Sequence, residues 1–367
     1  MGFDSFLGNT GAVTTVQEML RNKRVPGALL FTGPEGVGKK TLALMMAKAA
    51  MCQRLQADFC GQCAHCRRAD DMIAAASEDL ARRREMKEAA RRVEGLVYFD
   101  LQLIAPLTRN ILTEQIRLLR QTAYTCPFEL PRRFFVIDQA QAIHWQAVDL
   151  LLKVLEEPPE TTTLILVCPN ASELRPTIRS RCQRVAFSPV EESLIRKLLA
   201  ASGQVPEPNR ALAARLAEGS VGKALSLDLQ QYLARRQPWL EFFETLATRP
   251  RRPEGAAGHA AALDWRRLFD STRALTGDRE HFNETLGIGY ALLRDLLEVF
   301  AAGERASLTH LDLVPRLKIW AKQLGFEGIE MLKEGLDQAY RLQVRNVNQQ
   351  LGLDALAIAM ASRERIA

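Results

Sequence analysis

The sequence contains no run of about 18 apolar residues, the length that a membrane-spanning helix requires. Its first residues, Met1 to Thr10, lack the basic and then apolar layout of a secretory signal peptide. Aromatic residues are scarce, at 7%, and the sequence has neither a helix-turn-helix pattern nor interleaved aromatic and basic residues. These absences predict a cytoplasmic protein with no membrane partner and no element that reads a nucleic-acid sequence.

The composition is otherwise that of an ordinary globular protein. Hydrophobic residues make up 47% and charged residues 25% of the 367 positions, and this length suits two or three domains. The formal net charge of +6 is compatible with contact to a polyanion such as DNA. Any such contact is expected to reach phosphates and to be insensitive to base sequence.

Three short apolar runs have the length of buried strands, at 28–31, 134–137 and 164–167. Helix-like segments separate them, and strands that alternate with helices favour a parallel sheet covered on both faces. Arg132 and Arg133 directly precede the second run, and we expect both to be solvated charges. The strand signals end near residue 189, and the rest of the sequence has the character of helices.

A phosphate-binding loop is predicted where the first strand meets the next helix. Gly33, Gly38 and Lys39 have the Gly-x4-Gly-Lys spacing, and Gly36 lies between them. Glycines let backbone N–H groups converge on phosphate oxygens, and the lysine reaches the terminal phosphates. The pattern therefore indicates a site that descends from nucleotide-binding loops, with a purely structural glycine turn as the alternative.

The two residues after this lysine depart from the usual pattern. Lys40 stands where a Ser or Thr hydroxyl normally holds Mg²⁺, and Thr41 comes one position later. One position rotates a helical side chain by about 100°, so Thr41 cannot simply substitute. An ammonium group also repels a divalent cation. ATP or ADP binding is compatible with this loop, whereas efficient metal-assisted hydrolysis is not expected.

A carboxylate follows the strand at 134–137. Asp138 is the candidate for the aspartate that helps to hold Mg²⁺ in phosphate-loop ATPases, and an ordinary strand-end residue is the alternative. The next residue, Gln139, has an amide that cannot act as a general base at neutral pH. Lys40 and Gln139 together predict a degenerate ATPase site.

Four of the seven cysteines are clustered. Cys52, Cys60, Cys63 and Cys66 have the spacing C-x7-C-x2-C-x2-C. Four thiolates complete a tetrahedral Zn²⁺ site, so the cluster predicts a structural zinc site, with free thiols as the alternative. The remaining cysteines are expected to be packing residues. They are Cys126, Cys168 and Cys182.

Three further strings carry a family resemblance. They are LLKVLEEPP at 151–159, Ser180-Arg181-Cys182, and GSVGKAL at 219–225. Together with the four-cysteine module, they resemble the AAA+ clamp-loader subunits of bacterial DNA polymerase III, over roughly residues 3–360.

The resemblance implies an α/β AAA+ P-loop domain with a parallel sheet and a zinc module, followed by a helical lid and a C-terminal all-α collar domain. The expected boundaries are 1–188 for the first domain with its zinc module at 52–66, 189–245 for the lid, and 246–367 for the collar. A Pro-, Gly- and Ala-rich stretch at 246–260 is a candidate linker. The charged insert at 67–95 is long for the family and is expected to be a solvated helix, with a dedicated binding arm as the alternative.

Within the family, the delta-prime branch is favoured over the gamma/tau motor branch. Motor subunits tend to keep a Thr, a Glu and a sensor arginine at the positions where this sequence has Lys40, Gln139 and Gly222. The resemblance then implies a largely non-hydrolysing stator that helps to load the sliding clamp onto primed DNA. Arg181 is the implied arginine finger, offered in trans to a neighbour's ATP, with an ordinary surface arginine near a strand as the alternative.

The implied partners are the gamma/tau and delta subunits in a hetero-oligomeric ring, the sliding clamp, and primed DNA through its phosphates. The chain would be a component of the polymerase III holoenzyme with weak or absent ATPase activity of its own. An active gamma/tau-like motor is the alternative, and it would need Thr41 to replace the missing hydroxyl. A zinc-dependent nucleic-acid-binding scaffold unrelated to clamp loading is a third hypothesis, against which the three family strings argue.

Overall fold

A computed structural model of the protein describes residues 2–88, 92–203, 205–247, 264–277, 281–344 and 348–362. The strands are β1 (Ala28–Thr32), β2 (Leu101–Ile104), β3 (Arg133–Ile137), β4 (Thr162–Cys168) and β5 (Gln183–Ala186). The helices are α1 (Thr10–Arg21), α2 (Lys39–Ala50), α3 (Ala64–Glu85), α4 (Thr113–Ala123), α5 (Val148–Glu156), α6 (Pro176–Arg179), α7 (Glu192–Ser202), α8 (Glu207–Leu216), α9 (Val221–Ser226), α10 (Leu229–Ala247), α11 (Trp265–Leu275), α12 (Phe282–Ala302), α13 (Val314–Val344) and α14 (Gln349–Ser362).

These elements belong to two compact units. The sheet unit comprises Met1–Gly203 and Ala217–Ser226, and the helical unit comprises Gln204–Leu216 and Leu227–Ala367. The three domain boundaries expected from the sequence remain predictions, and most of the candidate linker at 246–260 lies outside the described residues. No helix among the described residues is both long and apolar enough to cross a membrane.

The sheet unit is built on five parallel strands in the order β2-β3-β4-β1-β5. Every residue of β1, β3 and β4 is buried, as expected for strands covered on both faces. Strand β5 lies at the edge and exposes three of its four residues. The predicted parallel α/β sheet is therefore confirmed.

Successive side chains of β1 enter two separate cores, because strand residues alternate between the faces of a sheet. Leu29 and Phe31 pack in the core that contains residues of α1, α2 and α3, whereas Leu30 packs with residues of α4 and α5. Helices thus cover both faces, and the loops after β1, β3 and β4 emerge together at one edge.

The expectation that Arg133 is solvated is wrong. Its side chain and that of Asp100 are both 0% exposed, and their charged groups form an ion pair with 3.0 Å between Arg133 Nη2 and Asp100 Oδ1. Asp100 also accepts N–H groups from the backbone of residues 128–130, and Arg133 donates to the carbonyls of residues 122, 125 and 126. Arg132 is half-buried and donates to the Thr163 hydroxyl.

The charged insert at 67–95 is helical as predicted up to Glu85, where α3 ends. It is not solvated throughout, because Arg83 is buried. The Arg83 guanidinium bonds to Asp79 and donates to the carbonyls of Arg92, Glu94 and Gly95. This arginine ties the helix to the segment that leads into β2.

The helical unit has one apolar core formed by α10 to α14, with Trp239 and Phe243 among its largest buried side chains.

The helical unit also contains a polar network. Asp295 Oδ2 is 2.7 Å from Nδ1 of the buried His310, whose Nε2 is 2.7 Å from the Tyr232 hydroxyl. Burial alone would raise the pKa of Asp295, but its hydrogen bonds with the His310 ring and with two backbone N–H groups lower it overall. The all-α part that follows the sheet is thus confirmed.

Candidate functional site

A cleft of about 460 Å³ opens at the carboxyl edge of the sheet, where the loops after β1, β3 and β4 meet. Clefts at this edge are the usual ligand positions of parallel sheets. The cleft belongs to the sheet unit. Its lining consists of Glu35, Gly36, Gly38, Lys39, Lys40, Thr41, Asp138, Gln139, Val167, Cys168, Pro169, Val221, Gly222 and Leu225.

The predicted phosphate loop lies between β1 and α2, as its sequence pattern requires. Lys39 is buried, and its Nζ donates to the carbonyls of Gly33 and Pro34, each at 2.5 Å. Gly33 itself lies outside the cleft lining. Burial lowers the pKa of the Lys39 ammonium, against the opposing effects of Cys168, Asp138 and Glu35. The lysine is held at the cleft by its own loop.

Gly36 is the point at which helix α9 meets this loop. Its φ of +71° favours glycine, and a Cβ there would lie 2.1 Å from Oγ of Ser220. The N–H of Gly222 donates to the Gly36 carbonyl at 2.8 Å. Gly222, the residue expected in place of a sensor arginine, therefore contacts the loop through its backbone. Lys223 points to Glu218, with 3.7 Å between Lys223 Nζ and Glu218 Oε2.

An ammonium is paired with a carboxylate at the positions expected to handle Mg²⁺. Lys40 Nζ lies 3.4 Å from Asp138 Oδ2, with side chains 48% and 21% exposed. Thr41 is exposed and also lines the cleft. Gln139 has a φ of +53°, a left-handed conformation that is uncommon for a residue with a side chain. No carboxylate follows Asp138, so the chain supplies no base at that position.

Residues at the end of β4 complete the cleft, and the sequence patterns do not single them out. Cys168 and Pro169 line it, and the Pro169 carbonyl accepts the N–H of Gly33 at 3.1 Å. Burial raises the pKa of the Cys168 thiol to about 11, so this group stays protonated near neutral pH. Cys168 enters the site because β4 lies between β1 and β3.

Arg181 lies elsewhere, since it is not part of the cleft lining. It follows α6, and its side chain is 35% exposed. The guanidinium Nη2 donates to Glu156 Oε1 at 2.7 Å, and Nη1 donates to the Thr177 carbonyl at 2.9 Å. Glu156 ends helix α5, within the LLKVLEEPP string. The two family strings therefore contact each other through the Glu156–Arg181 ion pair. Neither string alone predicts this contact.

The four clustered cysteines converge between α2 and α3. Their sulfur atoms all lie within 4.8 Å of one another. Sulfurs about 2.3 Å from a tetrahedral Zn²⁺ are separated by about 3.8 Å, so small adjustments would bring this set onto one ion. The residues are Cys52, Cys60, Cys63 and Cys66. His65 is not a member of the group, and its Nδ1 lies 3.0 Å from the Met51 carbonyl.

Backbone N–H groups point at several of these sulfurs. Burial alone would raise the pKa of Cys63, but hydrogen bonds from the N–H groups of Gln53 and Cys66 and from neighbouring thiols lower it to about 6. N–H groups also lower the pKa of Cys60, whereas burial raises that of Cys66. Because zinc binds thiolates, the donor set and its N–H contacts fit a structural zinc ion.

The remaining cysteines differ in burial. Cys168 is buried and Cys182 is half-buried against the core of α4 and α5, as expected for packing residues. Cys126 is exposed, so that expectation is wrong for this residue. It lies in the segment whose carbonyls bind Arg133.

A family comparison agrees with this geometry. The family model described as DNA polymerase III, delta subunit matches residues 8–191, half of the chain and most of the sheet unit. The chain belongs to this family. This membership confirms the resemblance to clamp-loader subunits, and the AAA+ P-loop fold class predicted with it.

Members of the DNA polymerase III delta-subunit family and its gamma/tau relatives are similar to this chain to different extents. The DNA polymerase III subunit delta′ of Bacillus subtilis is 25% identical over 344 residues, which are 93% of this chain and 92% of that protein. The tau subunit of the same organism is 28% identical over 231 residues, or 61% of this chain and only 37% of tau. A gamma-subunit-related protein of Thermotoga maritima of known structure has 15% identity and a TM-score of 0.44, over 96% of this chain and all of that protein.

Proposed function

We propose that this chain is the delta-prime-type stator of a bacterial DNA polymerase III clamp loader, a subunit that does not hydrolyse ATP efficiently itself. The observation that carries the proposal is the lining of the cleft. Gln139 stands where a motor needs a base, and Gly222 meets the loop without any side chain. Similarity to subunit delta′ over almost the whole chain supports the same assignment.

Arg181 is the residue that this stator offers to its neighbour. Its guanidinium is partly exposed, and its bonds to Glu156 and to the Thr177 carbonyl orient it. An arginine inserted from outside neutralises charge that develops on the transferred phosphoryl group, an effect of about 10³ to 10⁵ in rate in well-studied GTPases. Glu156 acts as a positioning residue, because it limits the directions that the guanidinium can take.

The zinc ion would be structural in this function. Four cysteine ligands leave no open coordination position, so the ion would not contact a substrate. Cys63 is the N-cap residue of helix α3, and its sulfur accepts the N–H of Cys66 at 3.4 Å. An ion bound there would fix the start of α3 relative to the end of α2. Its role is thus to hold the sheet unit in shape.

The partners follow from the same assignment. They are gamma/tau and delta subunits in a hetero-oligomeric ring, the sliding clamp, and primed DNA, in the bacterial cytoplasm. Similar proteins are described as subunits of DNA polymerase III, which supports a complex of this chain with other subunits of that polymerase. Contact with DNA would reach phosphates, so its affinity should fall steeply with rising salt concentration.

The test is steady-state ATP hydrolysis, measured for the isolated chain and then for a mixture with motor subunits, delta, clamp and primed DNA. We expect no turnover by the isolated chain. In the mixture, some ATP sites of the neighbouring subunits adjoin this chain. Arg181→Ala should lower the rate of ATP hydrolysis at least by the fraction of all ATP sites that these represent. Arg179→Ala removes another exposed arginine from the same segment and should leave the rate unchanged.

Two outcomes would contradict the proposal. If the mixture with Arg181→Ala hydrolyses ATP at the wild-type rate, Arg181 does not act at a neighbour's ATP site. Robust turnover by the isolated chain, lost on Lys39→Ala, would instead identify an active gamma/tau-like motor in which Thr41 serves the metal.

A further inference from the structure

The ion pair between Lys40 and Asp138 occupies the part of the cleft where a phosphate-loop ATPase holds its metal. The ammonium is 3.4 Å from the carboxylate, and both groups line the same cleft. Residue 40 takes the place of the hydroxyl ligand, and Asp138 is the acidic ligand. One of the two expected metal ligands is therefore replaced by a cation, and the other is already paired with it.

A magnesium ion does not fit this arrangement. Mg²⁺ requires near-octahedral oxygen ligands at about 2.0–2.1 Å and gives up its water reluctantly. To reach Asp138 it would have to displace the Lys40 ammonium or approach it closely, and two cations at that distance repel each other. Among the described residues that line the cleft, only Glu35 offers another carboxylate.

The features that bind phosphate are nevertheless present. The loop reaches the N-terminus of α2, a helix of 12 residues, and Gly36 and Gly38 have positive φ angles that turn the backbone there. Lys39 and Lys40 bring two ammonium groups to the cleft, of which that of Lys39 also donates to the Gly33 and Pro34 carbonyls of its own loop. A volume of about 460 Å³ is within the range of small-molecule sites. The cleft thus offers cationic and backbone donors, with an ammonium at the metal position.

We propose that this cleft binds a nucleoside di- or triphosphate without a divalent cation, and that the Lys40 ammonium, anchored by Asp138, neutralises the phosphate charge that Mg²⁺ neutralises in motor subunits. The proposal rests on the stator function, because a subunit that does not hydrolyse its nucleotide needs no metal ion for catalysis. The ligand is thus a metal-free nucleotide.

The test is calorimetric titration of the full chain with ADP and with ATP, once in excess Mg²⁺ and once in EDTA. Wild type should bind in both buffers, with dissociation constants that agree within about threefold. Lys40→Thr restores the hydroxyl of the usual motif. It should weaken binding in EDTA by about tenfold or more and recover when Mg²⁺ is added.

Two further variants isolate the cause. Lys40→Arg keeps the positive charge and should retain binding in EDTA. Lys197→Thr makes the same chemical change at an exposed position of α7, outside the cleft, and should behave as wild type. A thermal melt of each variant without nucleotide shows whether it is folded, so that a lost affinity is not confused with a lost fold.

Three results would overturn the inference. They are wild-type binding that weakens tenfold or more in EDTA, no wild-type binding in either buffer, and a Lys40→Thr variant that binds equally in both. None of them bears on Arg181, whose effect on a neighbour's ATPase is measured separately. The stator function can therefore stand when this inference fails.

Discussion

Replacing Asp100 with alanine is expected to destabilise the sheet unit strongly, because the substitution leaves a buried charge without a partner. Arg133 and Asp100 are both fully buried, so the substitution takes away the carboxylate that neutralises the Arg133 guanidinium. The same carboxylate accepts three backbone N–H groups from residues 128–130. One substitution thus removes the ion pair and the anchor of a loop.

The magnitude follows from these contacts. Removing one partner of a buried ion pair costs about 3–5 kcal/mol. Unsatisfied N–H groups add about 1–3 kcal/mol each only where water cannot reach them, so the ion pair alone sets the lower limit of about 3 kcal/mol. Asp149→Ala, at an exposed position of α5, should change stability by less than about 0.5 kcal/mol. The contrast between the two aspartates tests the burial argument.

The Asp100 carboxylate also makes the free energy of unfolding depend on pH in a definite direction. Burial alone would raise the pKa of Asp100, but the N–H groups of residues 128–130 and the Arg133 guanidinium lower it overall. Because the folded-state pKa of Asp100 lies below its unfolded value of about 4, the ionised carboxylate stabilises the folded protein above about pH 4. This stabilisation is lost as the pH falls through the folded-state pKa. Asp100→Asn should therefore flatten the acid limb of the stability profile.

Hydrogen exchange of the β3 amides is the suitable assay, because it reports the opening of the sheet unit separately from the helical unit. Urea titration at pH 7 supplies an independent measure of the free energy of unfolding. A loss clearly below about 3 kcal/mol for Asp100→Ala, or an equal loss for Asp149→Ala, would refute the reasoning. Preserved protection of amides 128–130 would refute the anchoring of the loop.

Three further outcomes are expected. Cys63→Ser should reduce bound zinc from about one ion per chain to near zero by elemental analysis, whereas Cys126→Ser should retain it; equal zinc in both would contradict the four-cysteine site. Gly36→Ala should destabilise the sheet unit by about 1–3 kcal/mol in urea, because its φ is +71° and the new Cβ would meet Ser220; an unchanged midpoint would contradict this contact. Asp295→Ala should cost about 3 kcal/mol in the helical unit, because it removes the acceptor of two backbone N–H groups and one imidazole; wild-type exchange rates there would count against it.

The buried strands could be predicted from the sequence because burial on both faces makes them continuously apolar. Strands β1, β3 and β4 all have this character. Strand β2 has only four residues and includes Gln102, and edge strand β5 exposes Gln183 and Arg184, so neither gives a comparable signal. Apolar runs reveal the centre of a parallel sheet better than its edges.

The local motifs of the site could also be predicted, whereas its long-range contacts could not. The phosphate loop and the cysteine spacing each lie within a short stretch of sequence. The contacts of Lys40 with Asp138 and of Glu156 with Arg181 join segments that only the strand order brings together. The burial of Arg133 could not be predicted for the same reason, since its partner Asp100 lies 33 residues away.

The close approach of Gly222 to Gly36 has an evolutionary consequence. A Cβ at position 222 would lie 3.2 Å from the Gly36 Cα, so any side chain there requires the two backbones to separate by a few tenths of an ångström. A side chain at position 222 would thus disturb the loop unless residue 36 and its neighbours shifted with it. Changes at positions 36 and 222 are therefore expected to be tolerated together more readily than one at a time.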